Sequence, residues 1–180
     1  MSKPIFRLGP ETERLSHREM RVDDAEAVLA FNGNQEVMKL TGEPLWTDLK
    51  QTRERLANYA EFETHGFGRW GMVYKPEGRL IGFSGFKYLP ELDEVDLGYR
   101  LLPEYWGRGL ATESGLACIR FGFETMGFDR IIALVLPENA GSIRVAEKIG
   151  MHDTGRIEID DETAHRFVAE KADWLALHRS

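Results

Sequence analysis

The stretch Pro103-Glu104-Tyr105-Trp106-Gly107-Arg108-Gly109-Leu110-Ala111-Thr112 decides the fold. Before it, Glu94 to Leu102 alternates with period two: Val95, Leu97, Tyr99 and Leu101 share one face, and Asp96, Gly98 and Arg100 the other, the pattern of a strand. After it, about Ala111 to Met126 has helical spacing, with Leu116, Ile119 and Phe123 as the expected buried stripe and Gly127 as the stop. The stretch is therefore a glycine-bearing turn from strand into helix. Gly107 and Gly109 remove side chains where the chain bends and where a ligand can approach the backbone. The first amides of the helix, Arg108 through Leu110 and Ala111 to Thr112, lack intrahelical partners and, with the macrodipole, suit a pyrophosphate. A plain structural turn has the same form, and the stretch matches neither the dinucleotide fingerprint nor a Walker loop.

Outward from this turn, Arg130-Ile131-Ile132-Ala133-Leu134-Val135-Leu136 reads as a strand covered on both faces. Pro137-Glu138-Asn139-Ala140-Gly141-Ser142 then leads into a short helix ending at Gly150. In a parallel arrangement it reaches the same sheet edge as the glycine turn. Asn139 offers an amide and Ser142 a hydroxyl there; alternatively, one of them is only the helix N-cap. Toward the N-terminus, Leu15 to Met20 reads as a strand, Val22 to Phe31 as a helix capped by Asp23 or Asp24, and Thr47 to Phe62 as a helix capped by Thr47. Trp70 to Tyr74 and Leu80 to Phe86 form a hairpin, and Gly155 to Ile159 with His165 to Trp174 a final one. No repeat or linker interrupts the pattern, so residues 1–180 read as one α/β domain: a mixed sheet with helices on both faces.

Composition narrows the function. The 180 residues carry 23 Lys and Arg against 30 Asp and Glu, a net charge of −7 that opposes nucleic-acid binding by bulk attraction. A local patch of Arg100, Arg108, Arg144 and Lys148 is better assigned to an anionic ligand. A lone cysteine, Cys118, excludes an intrachain disulfide and a Cys-rich zinc site. The five histidines show no ligand spacing, so no metal is expected. No apolar run spans a bilayer and no signal peptide is recognisable, so a cytoplasmic protein with no membrane partner is expected.

Taken in order, Thr12-Glu13-Arg14-Leu15, Asp24-Ala25, Leu97-Gly98-Tyr99-Arg100-Leu101, Trp106-Gly107-Arg108-Gly109-Leu110-Ala111-Thr112-Glu113, Asn139-Ala140-Gly141-Ser142-Ile143-Arg144 and Glu147-Lys148-Ile149-Gly150-Met151 cover nearly the whole chain. Together they resemble the GCN5-related N-acetyltransferases (GNAT), particularly the RimJ/RimL type that acetylates ribosomal-protein N-termini. The resemblance implies a largely antiparallel sheet of about seven strands, splayed between two central strands, with acetyl-CoA as co-substrate wedged in the splay. Pyrophosphate would sit on the amides of Arg108 to Thr112, in the turn that begins at Trp106 and Gly107. Pantetheine would bond to the backbone near Leu101 and Leu102, and Asn139 would contact its arm. Ser142 matches the serine proposed to protonate the departing thiolate. The acceptor would be an amine, either a peptide N-terminus or a small molecule, and a homodimer remains open.

Two positions depart from the family pattern. Trp106 stands where the broad family begins its phosphate motif with Arg or Gln. Asp96 stands where relatives carry a glutamate base; it either works through a bridging water or pairs with Arg100 on the same strand face. His17, on the first strand, and His65, in a Gly-flanked loop that could line the acceptor pocket, read as surface histidines, and Cys118 as a small buried hydrophobe. Glu43, Trp46 and Asp48 lie where the subgroup builds its acceptor site, or belong to an ordinary solvated loop. The leading function is acetyl transfer to a primary amine; a non-catalytic acyl-CoA-binding module of the same fold is the alternative.

Overall fold

Two short antiparallel strands, β1 (Leu8–Glu11) and β2 (Leu15–Arg18), open the chain, whose computed structural model describes residues 3–177. Four helices follow: α1 (Ala25–Asn32), α2 (Gln35–Met38), α3 (Leu49–Ala57) and α4 (Glu61–His65). An antiparallel run of β3 (Arg69–Tyr74), β4 (Arg79–Leu89) and β5 (Glu94–Leu101) comes next. The second half alternates as α5 (Leu110–Phe121), β6 (Arg130–Val135) and α6 (Ala140–Lys148), then closes with the hairpin of β7 (His152–Ile159) and β8 (Glu162–Glu170) and with α7 (Lys171–Leu177). The eight strands lie in the order β1-β2-β3-β4-β5-β6-β8-β7. Every neighbouring pair is antiparallel except β5 with β6.

Four local expectations change. β1 adds a strand that the sequence does not announce, because its four residues contain Pro10 and show no alternation. The segment from Thr47 to Phe62 is two helices: the Asp48 side chain, not Thr47, accepts from the Gln51 amide at 2.8 Å, and the chain leaves the helix at Asn58 before restarting at Glu61. Leu116 is 47% exposed; the buried face of α5 is Ser114, Gly115, Cys118 and Ile119. The last segment stops being a strand at Glu170 and turns into α7.

Both sheet faces are covered. Trp70, Phe86, Ile131 and Phe167 pack with Cys118, Ile119 and Phe123 under α5 and with Ala146 and Ile149 of α6. Met72, Ile81 and Phe83 pack with Val28 and Phe31 of α1. Such fully buried side chains each contribute roughly 1.5–3 kcal/mol by removal from water, which fixes the strands that carry polar groups beside them. Among the described residues no helix is long and apolar enough to cross a membrane.

The parallel step matters most for function. β5, α5, β6 and α6 follow in sequence, so the C-terminal ends of β5 and β6 and the N-termini of α5 and α6 share one edge of the sheet. Asp96 opposite Ile132 is the pair that registers between the two strands.

Candidate active site

The gap between β5 and β6 is held at its narrow end by a side chain. Asp96 Oδ1 accepts from the backbone amide of Leu134 at 3.1 Å, taking the place of a ladder carbonyl where the strands part. Asp96 Oδ2 accepts from Arg69 Nη2 at 2.9 Å. Arg69 starts two strands away and reaches Asp96 along a row of small residues: Arg69 is opposite Gly85, and Gly85 opposite Gly98. A Cβ on Gly98 would lie 2.7 Å from Arg69 Nη2, so a larger residue there would push the guanidinium off this path over Gly98. The ion pair expected between Asp96 and Arg100 is therefore replaced by one with Arg69. Arg100 is turned instead to Asn32 Oδ1 and Glu43 Oε1, both at 2.7 Å. Burial pushes the Asp96 carboxyl above the ordinary carboxylate value; Arg69 and the Leu134 amide pull it back without cancelling that effect.

Beyond Asp96 the gap widens into a groove of about 550 Å³ along β5, the glycine turn and the start of α6. Among the described residues, the backbone amides of Gly107 through Thr112 donate to no backbone carbonyl, whereas Trp106 donates to Pro103 and Glu113 to Gly109. Gly107 and Gly109 have φ of +69° and +76°, the left-handed region, and a Cβ on Gly107 would meet nothing within 4 Å. Six successive free donors beside open space suit an anion. The turn is braced from behind: Glu113 accepts from Thr12 Oγ1 at 2.6 Å and from Arg14 Nε at 2.7 Å, and Arg14 Nη1 donates to the Arg108 carbonyl at 3.0 Å. Trp106 Nε1 donates to the Leu101 carbonyl at 2.9 Å, and the Leu102 amide donates to Ile81 at 2.9 Å, so two backbone groups near Leu101 and Leu102 are already committed.

The basic patch read from the sequence separates. Arg100 is buried against Glu43 and Asn32, and Arg108 donates to the Tyr74 hydroxyl at 2.9 Å over the Tyr74 and Tyr105 rings. Arg144 and Lys148 are the two of the four that remain as groove-lining cations without such a partner.

At the start of α6 the two alternatives resolve. Asn139 is the N-cap: its Oδ1 accepts from the Ser142 amide at 3.1 Å, and its Nδ2 donates to the Leu40 carbonyl at 3.4 Å. The Ser142 hydroxyl is thereby released from capping and lies 3.0 Å from the Tyr99 hydroxyl. Tyr99 escaped the sequence reading because its place beside Leu97 and Leu101 marks it as one more core-facing position. Tyr99, Arg100, Asn139 and Ser142 line both the groove and a second well of about 340 Å³ that also holds Asp96, Arg69, Lys87, Glu43 and Glu162. Of the loop acids and aromatics, only Glu43 lines that well; Trp46 stacks on Arg55 at 4.5 Å and Asp48 caps α3.

His17 is not a surface residue: it is 1% exposed. Its Nδ1 lies 2.6 Å from the Pro10 carbonyl, which only accepts, so Nδ1 carries the proton and Nε2 accepts from Ser114 Oγ at 2.8 Å. The pair ties β2 to α5. His65 packs against Phe67 and Tyr88 outside both cavities. Cys118 is fully buried, and burial pushes its thiol up to about 11, which leaves it inert. Among the described residues no cluster of metal-ligating side chains forms.

This arrangement has relatives. Residues 14–152 match the acetyltransferase (GNAT) domain, and the chain belongs to that family. The uncharacterized N-acetyltransferase YoaA of Bacillus subtilis is 32% identical over 147 residues, 81% of this chain and 83% of that protein. A GNAT-family acetyltransferase from Bacillus anthracis is 30% identical and superposes with a TM-score of 0.77, covering 91% of this chain and 98% of its own. A ribosomal-protein-S5-alanine acetyltransferase from Vibrio fischeri, 21% identical, shares the fold with a TM-score of 0.74 over 91% of this chain and 97% of its own.

Proposed function

We propose that the protein is an acetyl-CoA-dependent N-acetyltransferase of the RimJ/RimL type, a single cytoplasmic domain over residues 1–180 that acts on a primary amine, either a peptide N-terminus or a small molecule. The observation that carries this reading is the row of six unpartnered amides, Gly107 to Thr112, at the mouth of a groove that opens between the parallel strands β5 and β6. Its dimensions fall within the usual range of about 300–1,000 Å³ for ligand sites. The residues present fit acetyl-CoA: the amides of Gly107 to Thr112 and the open face of Gly107 for the pyrophosphate, Arg144 and Lys148 for further phosphate charge, and the Asn139 amide and those β5 backbone groups around Leu101 and Leu102 not already bonded for the pantetheine arm. Trp106, Arg108, Leu110 and Ala111 hold the turn that presents those amides.

Bound acetyl-CoA supplies an activated thioester carbonyl. Around it the chain has three tasks. Asp96, whose basicity burial raises, takes the acceptor's proton through a bridging water; its two hydrogen bonds still leave acceptor sites on a carboxylate that offers about four. Backbone amides facing the gap stabilise the developing oxyanion. Ser142 returns a proton to sulfur. The competing non-catalytic acyl-CoA-binding module draws support from one observation, the engagement of both Asp96 oxygens. Free-CoA release measured over a panel of N-terminal peptides, polyamines, amino acids and aminoglycosides separates the two. Amine-dependent release is expected; acetyl-CoA binding with no release from any amine would favour the module.

A further inference from the structure

We infer that Tyr99 is a positioning residue for the proton donor: its hydroxyl donates to Ser142 Oγ and so directs the Ser142 hydrogen at the sulfur leaving the acetyl group. This rests on the proposed reading of the groove and of Ser142. The two oxygens lie 3.0 Å apart, and the bond joins β5 to α6 across the widening gap. Both side chains line the groove and the second well, so the pair stands where the two cavities meet, the point at which an acetyl group passes from thioester to amine.

The direction of the bond follows from the chemistry. A serine hydroxyl has one hydrogen to give and two lone pairs to accept with. Asn139 already caps the helix, so Ser142 has no capping duty. A phenol is a stronger acid than an alkanol, and burial keeps Tyr99 protonated by raising its pKa, so the phenol is the donor of the pair. With its oxygen accepting from Tyr99, Ser142 keeps its own hydrogen for a third atom. The proton count then closes. The Ser142 O–H bond breaks as the S–H bond of CoA forms, the Tyr99 proton moves to Ser142 Oγ, and the phenolate is reprotonated, by way of water in the groove, with the proton that Asp96 took from the amine, so the proton the amine loses is matched by the one CoA gains. A serine alone would leave an alkoxide, a far stronger base than either thiolate or phenolate. The relay ends on a phenolate, which is the weaker base of the two oxygen anions.

The test reads binding. A hydroxyl that donates to sulfur stabilises thiolate over thiol, so bound CoA has a lowered thiol pKa, and each unit of lowering is a tenfold gain in affinity at high pH. Affinity for CoA divided by affinity for desulfo-CoA, measured by titration calorimetry from pH 6.5 to 9.5, is expected to rise at least tenfold in the wild type. Tyr99→Phe is expected to lose most of that rise, and Tyr99→Phe with Ser142→Ala to lose no more than Ser142→Ala alone, since the two act as one unit. Replacing Tyr99 by 3-fluorotyrosine, which keeps the shape and strengthens the acid, guards against misfolding of the phenylalanine variant and is expected to preserve or steepen the rise. A flat wild-type ratio, a Tyr99→Phe ratio equal to wild type, or additive losses in the double variant would overturn the inference. If neither ligand binds or shifts the melting temperature of the wild type, the groove reading fails with it, and that result is distinct from all the others.

Discussion

Asn139 and Ser142 sit three positions apart at one helix start, yet they have different duties, and single substitutions separate them. Asn139→Ala removes the bond to the Ser142 amide and is expected to cost about 1 kcal/mol of stability, read as a lower melting temperature. Ser142→Ala leaves the cap intact. It is expected to lower kcat about 10²-fold with nearly unchanged acetyl-CoA affinity, since the proton is needed only as the bond breaks. Normal kcat in Ser142→Ala would remove it from the reaction. Asp96 combines chemistry and support in one side chain. Asp96→Ala strands the Leu134 amide and the Arg69 guanidinium together, so a loss of about 3 kcal/mol is expected, the low end for breaking a buried pair because Arg69 keeps 21% of its side chain exposed. Asp96→Asn keeps one oxygen, for the Leu134 amide, but turns an NH2 toward Arg69, so it should recover only part of that stability while remaining slow in turnover. Equal melting temperatures for the two variants would show that Asp96 does not hold the gap.

Among the elements, the turn into α5 and the junction of β2 with α5 carry the strongest expectations. Gly109 has φ of +76°, so Gly109→Val strains the backbone by roughly 1–3 kcal/mol, and its side chain would press on Arg14, whose Nη2 would lie 3.6 Å from a Cβ there and which braces the turn that presents the amides. Acetyl-CoA affinity is expected to fall by more than the stability loss explains; wild-type affinity in the folded variant would place the phosphates elsewhere. At the β2–α5 junction, burial holds the His17 pKa below its ordinary value. The neutral ring is therefore the folded form, and its contribution is complete above the unfolded value of about 6.5. It is lost progressively as pH falls from that value through the lower folded pKa, and the paired carboxylates Asp24, Glu43 and Glu113, whose pKa values are depressed, add their own loss in acid. Melting temperature is expected to decline from about pH 6.5 downward, and His17→Gln to flatten the first part of that decline.

At the scale of the whole molecule, the legible part of the fold was the part written locally. Alternation in Glu94–Leu101, the glycines of the turn and the apolar run Arg130–Val135 mark β5, the start of α5 and β6 without knowledge of any partner. The links that make the site were not legible, because each joins distant positions. Arg69 meets Asp96 across 27 residues, Tyr99 meets Ser142 across 43, and His17 meets Ser114 across 97. Only the sheet order brings them together: Arg69, Gly85 and Gly98 fall into one row once β3, β4 and β5 are in register, and Arg100 is then drawn to Glu43 instead of Asp96. The Arg69–Asp96 and Tyr99–Ser142 links both meet at the gap between β5 and β6, so what that groove binds is the deciding observation. Thermal melting with rising acetyl-CoA, with NAD as the control dinucleotide, tests it most directly. Acetyl-CoA at 100 times its dissociation constant is expected to add about 2.7 kcal/mol and raise the melting temperature in a saturable way, while NAD leaves it unchanged. A melting curve that stays flat in millimolar acetyl-CoA, or that moves equally with NAD, would contradict it.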